Sequence, residues 1–141
     1  MKAKAATSPA RNTTNAFKEA KAFSSFSVND LRQAKEFYNR TLGLEVSEKP
    51  EGLELNLADD FKVFIYAKPN HTPASFTVLN FKVDDIEQTI DELKSVGINL
   101  EHYNQPDLKT DDNGILGDDN MRIAWFKDPA GNVLSIIESN Q

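Results

Sequence analysis

Two histidines, three tyrosines, sixteen lysines and arginines and no cysteine bound the chemistry open to this chain of 141 residues. Without cysteine there are no disulfides, thiolate metal sites or cysteine nucleophiles. His71 and His102 would make either a metal pair or a proton shuttle, since imidazole changes charge near neutrality. They lie in different halves of the chain and both read as loop residues, with His71 near enough to a strand end to reach a pocket rim. The stretch TDDNGILGDDN (110–120) gathers four aspartates and invites a calcium reading. The EF-hand frame requires an acid five residues before its glycine; before Gly114 that position is Lys109, so the segment reads as a solvated acidic loop. There is no GxGxxG, no Walker lysine motif and no Gly-x-Ser-x-Gly elbow, which leaves dinucleotide, nucleotide and serine-hydrolase readings without support.

The elements that must position these groups occur twice. FSVNDLRQAKEFYNRTLGL (26–44) and FKVDDIEQTIDELKSVGIN (81–99) align at a constant offset of 55, matching Phe26 with Phe81, Val28 with Val83, Asp30 with Asp85 and Gln33 with Gln88. Internal repetition of this kind decides architecture. Period-two alternation puts Phe26, Val28, Leu79, Phe81 and Val83 on buried faces and Ser25, Ser27, Asn80 and Lys82 on the opposite ones. Asp30 and Asp85 are placed to cap helices carrying Leu31, Ala34, Phe37 and Tyr38 in one half and Ile86, Ile90 and Leu93 in the other. Gly43 and Gly97 stop them.

Further strands are expected at 52–57, 61–67, 120–126 and 132–138, with others around Val46 and Leu100. KPNHTPAS (68–75) links module 1 (about 22–67) to module 2 (about 76–138), and 103–120 reads as a long loop and a lid candidate. The expected fold is therefore α+β, two tandem βαβββ modules in one domain over residues 22–141, with helices outside a curved mixed sheet.

Charge and hydropathy exclude several partners. Residues 1–22 carry a net charge of +4 and the rest −10, within a total of −6. So acidic a body repels a phosphate backbone, which argues against nucleic acid. No apolar run approaches the roughly 20 residues needed to span a bilayer. Residues 1–21 lack the apolar stretch of a secretory signal and read as a flexible extension, and a cytoplasmic location is expected.

These motifs, with WFKDPAGNVLSII (125–137), resemble the vicinal oxygen chelate superfamily, the glyoxalase, bleomycin-resistance and dioxygenase-like proteins, over about Phe23 to Glu138. The resemblance implies that the two modules curl into a cup lined by the polar strand faces. It also implies a divalent metal held by His or Gln on each first strand and Glu on each last strand. Those positions fall here on Phe23, Val78, Tyr66 and Ser135, none of them a normal ligand for such an ion. No metal and no cofactor are therefore expected.

What remains is an organic ligand held by Phe23, Ser25, Phe64, Tyr66, Val78, Asn80, Trp125 and Ser135, a mixture of aromatic surface and hydrogen-bonding groups typical of small-molecule sites. The alternative is an enzyme (lyase, isomerase or dioxygenase-like) that uses protein acid–base groups or an atypical metal site. Its catalytic candidates are Tyr66, His71 and Lys82, with Lys68 a further oxyanion-stabilising group; a glyoxalase-I-type enzyme ranks third. The resemblance also implies a homodimer.

Overall fold

The computed structural model describes residues 14–140. After a short helix α1 (Asn15–Glu19), the first half runs β1 (Ser24–Val28), α2 (Leu31–Lys35), β2 (Glu45–Lys49), β3 (Gly52–Asn56) and β4 (Lys62–Ala67). The second half runs β5 (Thr77–Lys82), α3 (Ile86–Ser95), the short strands β6 (Asn104–Gln105), β7 (Leu108–Lys109) and β8 (Ile115–Gly117), then β9 (Met121–Lys127) and β10 (Val133–Ser139). The strands form two four-stranded sheets of like topology, β1-β4-β3-β2 and β5-β10-β9-β8, with β6 and β7 as a separate hairpin. In each sheet the first strand pairs in parallel with the last, and the other pairs are antiparallel.

The repeated sequence builds both helix starts alike. Asp30 and Asp85 sit in extended backbone, and each accepts from the amide three residues on, Gln33 and Gln88, at 3.1 Å. One free N–H of each first turn is thereby satisfied. Past Lys35 the first helix widens into a π-helical segment, Glu36–Thr41, which buries Phe37 and Tyr38 side by side. Gly43 and Gly97 follow the two helices at φ 77° and 86°, the left-handed conformation that ends a helix at least cost to glycine.

The helices cover the apolar faces, and a continuous core joins Phe26, Val28, Leu55, Ile65 and Tyr38 to Ile86, Ile90, Phe126, Leu134 and Ile136. Phe81 and Val83 pack against it, as the strand alternation requires.

A polar staple also ties the halves together. The buried Asp128 carboxylate accepts from the Tyr38 hydroxyl at 2.7 Å, from Asn132 Nδ2 at 3.0 Å, and from the Ala130 and Asn132 amides at 2.9 Å. Asn132 Nδ2 also donates to the Ser27 carbonyl at 2.9 Å. The DPAGN turn, so prominent in the sequence, is thus a junction between modules.

Two expectations need correction. No strand forms at Leu100, whose side chain is buried in the core; the last position of the second sheet is taken by β8, from within the supposed loop. Leu100 packs directly on Gly114, and Asp111 Oδ1 accepts from the Asn113 and Ile115 amides at 2.9 Å, a local turn that delivers the chain into β8. Segment 103–120 is consequently a hairpin followed by an edge strand.

The extension expected at residues 1–21 falls mostly outside the described residues. Within them, α1 is capped by Thr14 and buries nothing.

Candidate functional site

The face of the first sheet opposite its helix is open. Register places Ser25 beside Phe64, Ser27 beside Tyr66, and Glu54 beside Phe64, so these side chains share one surface. Phe64 and Tyr66 stack with centroids 6.5 Å apart and planes 16° from parallel. At one end of this surface lies a cleft of about 670 Å³ walled by Phe23, Phe61 and Phe64 and rimmed by Lys49, Glu54 and Lys62. The rim is organised: Lys62 Nζ donates to Asn56 Oδ1 at 2.6 Å and lies 3.6 Å from Asp60, and Lys49 lies 3.9 Å from Glu54. Phe23 precedes β1 rather than standing in it, and at 66% exposure it presents its ring to this cleft.

The matching face of the second sheet is partly covered. Trp125, beside Ser135 in register, reaches across to donate from Nε1 to Thr77 Oγ1 at 3.0 Å, and Tyr103 meets its ring edge-on at 5.5 Å. Burial and the nearby Glu101 carboxylate push the Tyr103 phenol above its ordinary pKa. Ser135 is fully buried and donates to Asn80 Oδ1 at 2.5 Å. Pairing with β10 passes from Thr77 to Leu79, leaving Val78 in an irregularity of the ladder. Lys82 is exposed on the same strand.

The eight residues expected to hold a ligand are therefore divided between the two modules. Phe23, Ser25, Phe64 and Tyr66 lie on or beside the open face, whereas Val78, Asn80, Trp125 and Ser135 belong to the other sheet. Lys49 and Glu54 stand on β2 and β3, strands on which no lining residue is expected from the sequence, and Phe61 and Lys62 lie at the start of β4, ahead of the expected Phe64 and Tyr66. The alternation in GLELNL already aims Glu54 to the face opposite Leu53 and Leu55.

Of the acid–base candidates, Tyr66 and His71 are brought to one edge of the first sheet. His71 Nδ1 lies 2.7 Å from Ser27 Oγ, and its Nε2 lies 3.1 Å from the Ala130 carbonyl oxygen. His102 is exposed, in the segment between α3 and β6. A second, apolar groove of about 330 Å³ lies on the helix side between Leu42, Leu44, Phe81, Val83 and Leu93, away from both polar faces.

Residues 22–136 match the family described as the glyoxalase/bleomycin resistance protein/dioxygenase superfamily. The chain belongs to this superfamily. The uncharacterized Bacillus subtilis (strain 168) protein YraH is 28% identical over 124 residues, covering 77% of this chain and 90% of that protein. TnmS3, an antibiotic binding protein from Streptomyces sp. CB03234, shares the fold with a TM-score of 0.60 and 24% identity, over 86% of this chain and 98% of that one. A glyoxalase family protein from Enterococcus faecalis aligns at a TM-score of 0.62 and 24% identity, over 86% and 99%.

The divalent-metal positions of the superfamily do not fit an ion here. Phe23 and Val78 carry no lone pair, and the Ser135 hydroxyl is buried and committed to Asn80. Only the phenol oxygen of Tyr66 is left, on the other sheet from Ser135. Among the described residues, no three His, Asp or Glu side chains come close enough to share an ion. No helix of the described residues is long and apolar enough to cross a membrane.

Proposed function

We propose that this superfamily member binds an organic small molecule, without a metal, on the open face of its first sheet. The aromatic cleft of Phe23, Phe61 and Phe64 carries the reading. Its volume falls in the range of small-molecule sites, and ring faces beside a few fixed charges suit a partly aromatic ligand with polar substituents. TnmS3 supports the direction, as a protein of the same fold that binds an antibiotic.

The domain proper spans 22–141, and the working form is a homodimer. Edge strands β1 and β5 are each paired on one side only, and the open face leaves Phe23, Phe61 and Tyr66 to solvent. A second copy would cover them and could set the Asn80 and Trp125 wall opposite the cleft.

A thermal-shift screen of metabolites and aromatic antibiotics, with and without divalent metals, tests the reading, because a ligand specific to the folded state raises the melting temperature by mass action. Stabilisation by an organic ligand without metal is expected. Stabilisation that requires near-stoichiometric Ni, Zn, Mn or Fe and vanishes on chelation would overturn it.

A further inference from the structure

Ser27 and His71 form a pair that ligand binding does not require. A carbonyl oxygen only accepts, so the contact to Ala130 assigns the ring proton to His71 Nε2. Nδ1 then presents its lone pair to the Ser27 hydroxyl at 2.7 Å. Nucleophile, base and a third group that orients the base are the parts of an activated serine.

The backbone holds each part in place. The Ser27 carbonyl is held by Asn132 Nδ2, the Lys68 amide donates to the Val28 carbonyl at 2.9 Å, and the His71 amide donates to the Lys68 carbonyl at 3.0 Å. Ser27 is only half-buried and shares its face with Tyr66, its partner in the β1–β4 ladder, whose phenol is exposed and carries an O–H donor.

We propose that Ser27 is the nucleophile of an acyl-transfer activity, with His71 as its general base, on small esters with an aromatic group that stacks on Tyr66 and Phe64. The Ser27 oxygen attacks the ester carbonyl while its proton passes to His71 Nδ1. The bond to the leaving alcohol breaks, and the imidazolium returns the proton to that alcohol. Water then attacks the acyl-serine, its proton passing through Nδ1 to Ser27, and the carboxylic acid departs. No other co-reactant is needed.

The test uses the full chain and a fluorophosphonate, read by intact mass and peptide mapping. One adduct, on Ser27, is expected. Ser27→Ala should abolish it, Ser24→Ala should leave it, and His71→Gln should slow it by about 10²–10⁴-fold. With p-nitrophenyl acetate, the wild type should release p-nitrophenolate in a burst of one equivalent per chain, absent from Ser27→Ala. No adduct on Ser27, adducts spread over several serines, or a folded His71→Gln that labels at the wild-type rate would each overturn the proposal. If His71→Gln does not fold, the wild-type map with the Ser27 and Ser24 variants decides. Ligand binding is read separately, by thermal shift on unlabelled Ser27→Ala, so loss of either proposal leaves the other standing.

Discussion

At the scale of single residues, the Tyr38 hydroxyl shows how one polar atom can matter to both stability and pH response. It is buried in the core and donates to the Asp128 carboxylate at 2.7 Å. Burial first, and the adjacent carboxylate second, push its pKa far above the ordinary phenol value of 10.0. A raised folded-state value favours the neutral form, so the stability it contributes is fully present below pH 10.0 and is lost as pH rises beyond it. Tyr38→Phe should cost about 1–3 kcal/mol near neutrality, because Asp128 loses a donor in a dry site. It should also flatten the alkaline fall in stability, which urea unfolding from pH 8 to 11 would reveal. An alkaline limb unchanged in the variant would assign that fall to other groups. In the cleft, Phe64→Ala removes a wall without touching the core, and should weaken ligand binding by about 1–3 kcal/mol in calorimetry while the melting temperature of the free protein barely moves.

At the scale of elements, the end of β10 holds the start of α3. Glu138 Oε1 accepts from the Ile86 amide at 2.8 Å, and Arg122 bridges Glu138 at 3.0 Å and Glu87 at 3.5 Å. The backbone amide first, then the guanidinium, hold the Glu138 carboxyl below its ordinary range. With a lowered folded-state pKa, the stabilisation is present above the ordinary carboxylate value and is lost as pH falls through the folded value. Glu138→Gln should therefore melt lower at pH 7 and lose less than wild type on going from pH 7 to 3, as melting curves across that range would show. Equal losses in both proteins would remove Glu138 from the acid response.

The same strands show what sequence can and cannot reveal. Helix caps at Asp30 and Asp85 and the strand faces were legible because each depends on residues a few positions apart, and the repeat because its matches recur at one constant offset of 55. The bulge at Val78, the reach of Trp125 to Thr77 and the burial of Ser135 depend on ladder register and on side chains meeting across three strands, which alternation does not encode. β8 was hidden for a related reason: its place in the sheet depends on Gly114 resting against Leu100, a contact between two segments that each look unremarkable.

At the scale of the molecule, the two modules are joined at three places, two of them on the DPAGN turn. The continuous core is one, the Tyr38–Asp128–Asn132 staple to Ser27 another, and His71 bonded across to Ala130 the third. Repeated modules that merely touched would unfold in separate steps, whereas modules sharing buried polar partners lose them together, since each half leaves the other with unsatisfied groups. The single tryptophan, Trp125, sits in the second module and so reports on that half alone, while far-UV circular dichroism reports on both. The two signals should give coincident urea transitions in the wild type. Asp128→Asn would set an amide N–H₂ either against Asn132 Nδ2 and the Tyr38 hydroxyl, which share one carboxylate oxygen, or against the Ala130 and Asn132 amides, which share the other. That variant should be less stable by about 1–3 kcal/mol or more. If the staple is what couples the halves, its fluorescence and dichroism midpoints should separate. Separate midpoints in the wild type would instead show that the shared core and staple do not bind the halves into one cooperative unit.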